Sequence, residues 1–303
     1  MAGQETRHLD PWHVVLLGAA ACVLCCPLGA AAAEARLRVK AMTFNIRYGT
    51  APDGANHWAK RRELVFGVLR KHQPDVVGIQ EALPSQIEEL RRALPEYHHV
   101  GRTREADPKQ GEAVPIFYRH ERWQVKESGT FWLSDTPEVP GSRSWGNDIP
   151  RIATWARLAE KPSGDDVLVF NVHLDHRSEP SREKGVALLA DRVQALARGI
   201  AAQPPRVILT GDFNCGESSP AVLYLTGQRG KPPVRFVDTF RVLHPDAGGS
   251  GTFHAWLGFA AGPKIDYVLT LPGAKVLHAA ILHDNEGGRC PSDHFPVVAE
   301  VEF

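Results

Sequence analysis

A surplus of either charge is absent from this sequence: 35 Lys and Arg stand against 35 Asp and Glu in 303 residues. The balance gives no bulk electrostatic pull toward DNA, RNA or an anionic membrane. It tells against a long polyanionic substrate unless a local basic groove lies inside the neutral total. Cysteine is scarce as well. Three of the five, Cys22, Cys25 and Cys26, fall near the N-terminus, so only Cys215 and Cys290 remain beyond it and a disulfide scaffold is excluded. No cysteine–histidine cage for zinc is present. Beyond the N-terminal segment there is no internal repeat, low-complexity tract, charge block or linker-like stretch. The 43% hydrophobic and 23% charged content is ordinary for a soluble globular protein, and the chain is long enough to bury a real core.

Residues 1–33 read as an export signal. Arg7 and His8 give a modest positive start, Val14 to Cys26 is apolar, and Ala30 to Ala33 offers a small-residue cleavage site before Glu34. The competing reading is an uncleaved anchor, since Val14 to Ala33 just reaches spanning length. Gly18, Pro27, Gly29 and the alanine-rich end favour cleavage. The expected product is exported, periplasmic or extracellular, with no stable membrane insertion and one α/β domain over residues 36–303.

The chain is organised around Arg206 to Cys215, RVILTGDFNC. Val207, Ile208 and Leu209 read as a buried strand, and Thr210 and Gly211 open a turn. Asp212 and Asn214 follow, two oxygen-bearing side chains separated by one residue, which extended backbone points the same way. They suit a reaction centre; an Asx-turn closing the strand is the plainer alternative.

Other strands are expected at Leu37–Ile46, Val76–Gln80, Ala113–Tyr118, Arg122–Leu133, Ile152–Leu158, Val167–Leu174, Ile265–Thr270 and Phe295–Phe303. Helices are expected from His57 to His72 with Asn56 as cap, from Pro84, from Ser181 to Ala202, and around Ala221 to Leu225. The interleaving predicts an α/β domain. Ser134 to Arg151, with three prolines, two glycines and Trp145, reads as a long functional loop.

Several of these strands end in a polar, acidic or histidine side chain: Asn45, Glu81, His173 with Asp175, Asp212 with Asn214, and Asp266. Ser292, Asp293 and His294 precede the last strand. Each has a plain alternative as a cap, a turn or a satisfied core histidine. Together they read as one site, because ligands in open α/β sheets collect at strand ends.

The set TFN at Asn45, IQE at Glu81, NVH at His173, GDFN, KID at Asp266 and SDHFPV resembles the endonuclease/exonuclease/phosphatase superfamily, the DNase I-like fold. The resemblance spans nearly all of residues 36–303. It implies a four-layer α/β sandwich, two packed mixed β-sheets flanked by helices, and dependence on Mg²⁺ or Mn²⁺. By that resemblance Glu81 is the main metal carboxylate, with Asn45 and Asp293 beside or behind the ion. Asp212 positions or deprotonates the attacking water, and Asn214 holds water or a phosphate oxygen. His294, oriented by Asp266, binds and neutralises the phosphate, while His173 contacts another oxygen or assists the leaving group.

FWLSDTP at Phe131, PRIATWARL at Pro150 and HLDHR at His173 resemble an exported bacterial subgroup of the same superfamily. Arg151, Arg177, Trp132 and Trp145 are candidates for its recognition wall, and Asp175 with His176 for a second cation site. The expected partner is a phosphate ester, small or on single-stranded nucleic acid, with no protein partner. The expected reaction is hydrolysis of a phosphodiester by direct water attack. One alternative is a phosphomonoesterase acting on a sugar or inositol phosphate. Another is a secreted binding protein that has lost catalysis, against which Glu81, Asp212, Asp266 and His294 all stand. Should the loops bearing Cys215 and Cys290 meet, an oxidising compartment permits a bridge; two free thiols are the alternative.

Overall fold

Arg38–Asn45 (β1), Trp58–His72 (α1) and Val76–Gln80 (β2) form a β-α-β unit whose strands run parallel. This computed structural model describes residues 1–4, 36–200, 204–260 and 262–303. The export signal expected at residues 1–33 lies, apart from its first four residues, outside the described residues. Among the described residues no helix is long and apolar enough to cross a membrane.

The chain continues through Pro84–Ala93 (α2), Tyr97–Val100 (β3), Ile116–Arg119 (β4), Trp123–Trp132 (β5) and Ile152–Glu160 (β6). A second parallel unit follows: Asp166–His173 (β7), Glu179–Ala197 (α3) and Val207–Asp212 (β8). Pro220–Leu225 (α4), Val237–Asp238 (β9), Thr239–Leu243 (α5), Asp266–Thr270 (β10), Lys275–Ile281 (β11) and Val297–Glu302 (β12) complete it. One sheet runs β11-β12-β1-β2-β4-β3 and the other β5-β6-β7-β8-β10-β9, so a parallel pair lies inside each mixed sheet.

Strand periodicity builds the layers. Val39 and Ala41 of β1 and Val167 and Val169 of β7 meet in the core between the sheets. Their neighbours Met42 and Phe44 face the other way, onto Val65 and Leu69 of α1 and Ile87 and Leu90 of α2. Leu168, Phe170 and Val172 likewise turn outward, onto Leu189 and Val193 of α3 and Val222 and Leu225 of α4. Both faces of the inner strands are therefore apolar, which is why β2 and β8 read as continuous hydrophobic runs. The result is the four-layer sandwich, helices on two sheets.

A polar contact crosses the apolar layer between the sheets. Gln80 Nε2 donates to Asn171 Oδ1 at 2.6 Å, and Asn171 Nδ2 donates to the carbonyls of Ile79 and Pro115. Gly78 makes room: a Cβ there would stand 2.0 Å from Thr210 Oγ1 and 2.5 Å from Asn171 Oδ1.

Local departures from expectation have local causes. The first helix is capped by His57, whose Nδ1 accepts the Ala59 N–H at 3.3 Å, rather than by Asn56, which lies in a preceding 3-10 turn. The third helix starts at Glu179 because Ser178 accepts the Ser181 N–H, and it ends at Ala197. Residues 201–202, its expected end, lie outside the described residues. Three strands were not anticipated, β3, β9 and β11. All are sheet edges with mixed or partial burial, so none carries an uninterrupted apolar signal. Cys215 and Cys290 are both buried and unpaired, so the two-thiol alternative holds.

Candidate active site

The two parallel units explain why distant residues meet. Asn45 ends β1, Glu81 follows β2, His173 ends β7 and Asp212 ends β8, so each unit delivers two polar side chains at the carboxyl end of its strands. Asp266 opens β10, directly opposite Asp212 in the antiparallel ladder, and Asp293 and His294 lead into β12, which is antiparallel to β1. A cleft of about 810 Å³ is lined by Glu81, His173, Asp212, Asn214, Asp293 and His294. Asn45 and Asp266 stand just beneath, bonded to its lining. The predicted strand-end residues thus come together in one place.

Asn45 ties the set across the sheets. Its Nδ2 donates to Glu81 Oε1 at 3.0 Å and to Asp212 Oδ2 at 2.9 Å, while its Oδ1 accepts the Arg47 N–H. Glu81 adopts φ +62°, a left-handed conformation rare for a non-glycine residue, and its second oxygen accepts the Tyr48 N–H at 3.1 Å. Asp212 serves two purposes at once. Its Oδ1 accepts the Asn214 N–H at 2.8 Å, which is the Asx-turn, while Oδ2 faces His173 at 3.5 Å and His294 at 3.8 Å. Asn214 Nδ2 is held by the Leu174 carbonyl, leaving its carbonyl oxygen for other partners.

His294 Nδ1 donates to Asp266 Oδ2 at 2.9 Å. Burial opposes charge on the ring, but the Asp266 and Asp212 carboxylates outweigh it and push the imidazole up to about 10. Asp212 is raised to about 7, by burial first and then by the charge of Asp266. His173 is driven the other way, well below its ordinary value, by burial and by the nearby Arg151 and Arg104. One imidazole is therefore charged and the other neutral.

Two groups offer ligand atoms for a cation. Asp212, Asp266 and His294 are close enough to share one. There, however, the His294 imidazolium already supplies the positive charge and both its nitrogens face carboxylates. Glu81 and Asp293 are different. Burial raises the Asp293 carboxyl and the charge of Glu81 raises it further; the His294 imidazolium and Arg47, whose Nε stands at 3.9 Å, only partly offset this, and the net shift is upward. A pair of oxygen ligands short of positive charge fits a hard divalent ion better than a charge-satisfied trio does.

The expected recognition wall is met by one of its four residues. Arg151 lines the cleft. Trp132 is buried behind it, its indole N–H on the Arg104 carbonyl at 2.6 Å. Trp145 bonds to Asp135, and Arg177 is an exposed arginine beside Asp148 at 3.6 Å; neither lines the cleft. The second cation site expected at Asp175 and His176 is occupied by a guanidinium. Arg151 Nε donates to Asp175 Oδ2 and Arg151 Nη2 lies 2.8 Å from His176 Nδ1, while Asp175 Oδ1 accepts the N–H groups of Arg177 and Ser178.

The cleft also uses residues with no sequence signal of their own: Arg47, Asp53, Arg104, Glu112, Phe253 and Trp256. Arg61 is a further surprise. It is 1% exposed and donates to the carbonyls of Asn56, Ile46, Pro291 and Arg47, fixing the backbone behind the cleft. It stands three residues after Trp58 and four before Val65, on the buried stripe of its helix, so spacing turns it inward although its charge reads as solvated.

Known proteins resemble this chain in sequence and fold. The Endonuclease/Exonuclease/phosphatase family model matches residues 42–294. An endonuclease/exonuclease/phosphatase from Bacteroides vulgatus is 31% identical, with a TM-score of 0.79 over 88% of this chain and 99% of its own. A mannosyl-6-phosphatase from Bacteroides thetaiotaomicron is 29% identical, with a TM-score of 0.78 over 88% of this chain and 100% of its own. A CCR4-Not complex 3'-5'-exoribonuclease subunit from Phaeosphaeria nodorum is 28% identical over 162 residues. That match covers 45% of this chain and 27% of the fungal protein. With the strand order and the strand-end residues already placed, the match establishes that the chain belongs to the endonuclease/exonuclease/phosphatase family, hydrolases of phosphate esters.

Proposed function

We propose that this chain is an exported, divalent-metal-dependent phosphoesterase that hydrolyses a small phosphate ester by direct attack of water. The observation that carries this reading is the convergence of Glu81, Asp212, His294 and His173 on one cleft from both sheets. Glu81 and Asp293 would hold Mg²⁺ or Mn²⁺, with Asn45 orienting Glu81 from behind. The ion would supply positive charge to a phosphate oxygen and so lower the barrier to attack. Asp212, with its raised pKa, would accept a proton from the attacking water while the Asn214 backbone N–H holds its other oxygen. The His294 imidazolium, braced by Asp266, would neutralise charge growing on the phosphate. His173 is neutral, so its role would be an N–H bond to phosphate or to the departing oxygen rather than a full charge.

Small substrates fit the electrostatics. Each arginine lining the cleft already has a carboxylate partner: Arg47 with Asp53, Arg104 with Glu112, and Arg151 with Asp175. No surplus positive track is left for a polyphosphate strand. A phosphomonoester of a hydroxylated alcohol is the first reading, supported by likeness to the mannosyl-6-phosphatase over that protein's whole length. A phosphodiester is the second, supported by likeness to the exoribonuclease subunit over about a quarter of its length, 27%.

The test is a panel of p-nitrophenyl phosphate, bis-p-nitrophenyl phosphate, sugar and inositol phosphates and short oligonucleotides, each with and without Mg²⁺. Metal-dependent turnover of monoesters is expected. Turnover of diesters alone selects the second reading, and no turnover of any ester rejects both.

A further inference from the structure

Past His173 the cleft changes character. Arg104 Nη1 and Nη2 grip Glu112 through two parallel bonds of 2.7 and 2.8 Å, and both side chains are nearly buried. Arg151 lies close by, held between Asp175 and His176. Arg104, Glu112, Arg151 and His173 line one small cavity, and the two arginines are near enough for Arg104 to lower Arg151 and for both to lower His173, so the groups form one cluster. Its framework is rigid: the Trp132 indole fixes the Arg104 backbone, and Asp175 is itself pinned by two backbone N–H groups.

This wall is polar but charge-balanced, two guanidinium groups against two carboxylates. A second phosphate would find no net attraction there. A neutral group with several hydroxyls would find both planar donors and carboxylate acceptors, since each oxygen of Glu112 keeps a lone pair beyond its bond to Arg104. Glu112 is pushed up by burial, which marks it as a carboxylate with little solvent to serve as its alternative partner. The same cleft also presents aromatic surface beside His294, where the Phe253 ring lies 5.0 Å away, and beside Arg61, which stacks on Trp256.

We propose that Arg104, Glu112 and Arg151 form a hydroxyl-binding clamp that seats the alcohol half of the ester, a pyranose or a comparable polyol. The clamp rests on the phosphoesterase reading above and adds to it the residues that select the leaving group. A site built to bond hydroxyls rejects an analogue lacking them, because its buried polar groups are then left without partners.

The experiment compares kcat/KM for mannose, glucose and galactose 6-phosphates with that for propyl phosphate, an ester of similar leaving group and no further hydroxyl. The wild-type enzyme with Mg²⁺, Glu112→Gln and Arg104→Lys are measured side by side. At least one hexose phosphate should exceed propyl phosphate by about tenfold or more in the wild type. Both variants should shrink that ratio about tenfold, mainly through KM. Arg104→Lys keeps a cation beside Glu112, so it remains informative if Glu112→Gln fails to fold. An unchanged ratio in the folded variant, or a wild type that does not favour any hexose phosphate, overturns the clamp. Turnover of p-nitrophenyl phosphate without sugar preference removes the clamp alone; no turnover of any ester removes the underlying reading too.

Discussion

Asp266 Oδ2 stands 2.9 Å from His294 Nδ1, in a pair that joins the start of β10 to the residue leading into β12. The pair holds the ring so that its Nε2 faces Asp212 at 3.8 Å, and it keeps the imidazole charged. Asp266→Asn should therefore lower turnover about a hundredfold or more with the fold intact, and His294→Ala and Asp212→Ala should each cost several orders of magnitude. Steady-state kinetics with circular dichroism on the same samples checks this. Near-normal turnover in any of the three would contradict the assigned roles.

Gly78 lies where β2 packs directly onto Thr210 and Asn171 of the other sheet. Gly78→Ala would drive a Cβ into Thr210 Oγ1 and Asn171 Oδ1 and disturb the Gln80–Asn171 bond that crosses the layer. Urea unfolding should show a loss of about 3 kcal/mol, the upper end for overpacking, because a buried polar network is also disturbed.

Arg61 is expected to matter for stability rather than for chemistry. Its guanidinium satisfies four backbone carbonyls, so Arg61→Met leaves them without their donor in a buried setting. A loss of about 3 kcal/mol or more is expected. Thermal unfolding reads it directly; an unchanged Tm would show that water replaces the side chain.

Asp284 joins the end of α1 to the segment before β12 through Lys71 and, at 2.7 Å, His72. Burial pushes its carboxyl up, but the two partners outweigh burial and the net shift is downward. A depressed carboxyl binds fewer protons folded than unfolded, so its contribution is complete above the unfolded pKa of about 3.9 and is lost as pH falls through the folded value. Asp284→Asn should therefore lower Tm near neutrality, and the gap to the wild type should close below about pH 4. A gap that persists at pH 2 would contradict the linkage.

How much of this was readable beforehand follows from where each residue sits. Asn45, Glu81, His173, Asp212 and Asp266 are polar side chains at the ends of apolar strands, and the contrast marks them. For Asn45, Glu81, His173 and Asp212 convergence follows from the rule that parallel units present strand ends on one side, and Asp266 joins them because it opens an antiparallel strand opposite Asp212. Arg104 and Glu112 gave no such contrast, because a charged residue in a loop is ordinarily solvated, and Arg61 shares the buried stripe of its helix but carries a charge that reads as solvated. Their burial comes from partners 5 to 230 residues away for Arg61 and from a bidentate bond for Arg104, and those partners are not visible in local pattern. The edge strands β3 and β11 escaped for a related reason: His98, His99, Lys275 and His278 interrupt the apolar alternation where one face is solvated.

The most direct test is phosphate release from p-nitrophenyl phosphate by the wild-type chain, after exhaustive chelation and again after Mg²⁺ or Mn²⁺ is restored, with Glu81→Gln measured beside it. Activity should vanish on chelation, return with the ion, and return only weakly, at least about a hundredfold lower, in the variant. Full activity in the chelated enzyme, or equal recovery in Glu81→Gln, would contradict a metal-dependent reaction centred on that carboxylate.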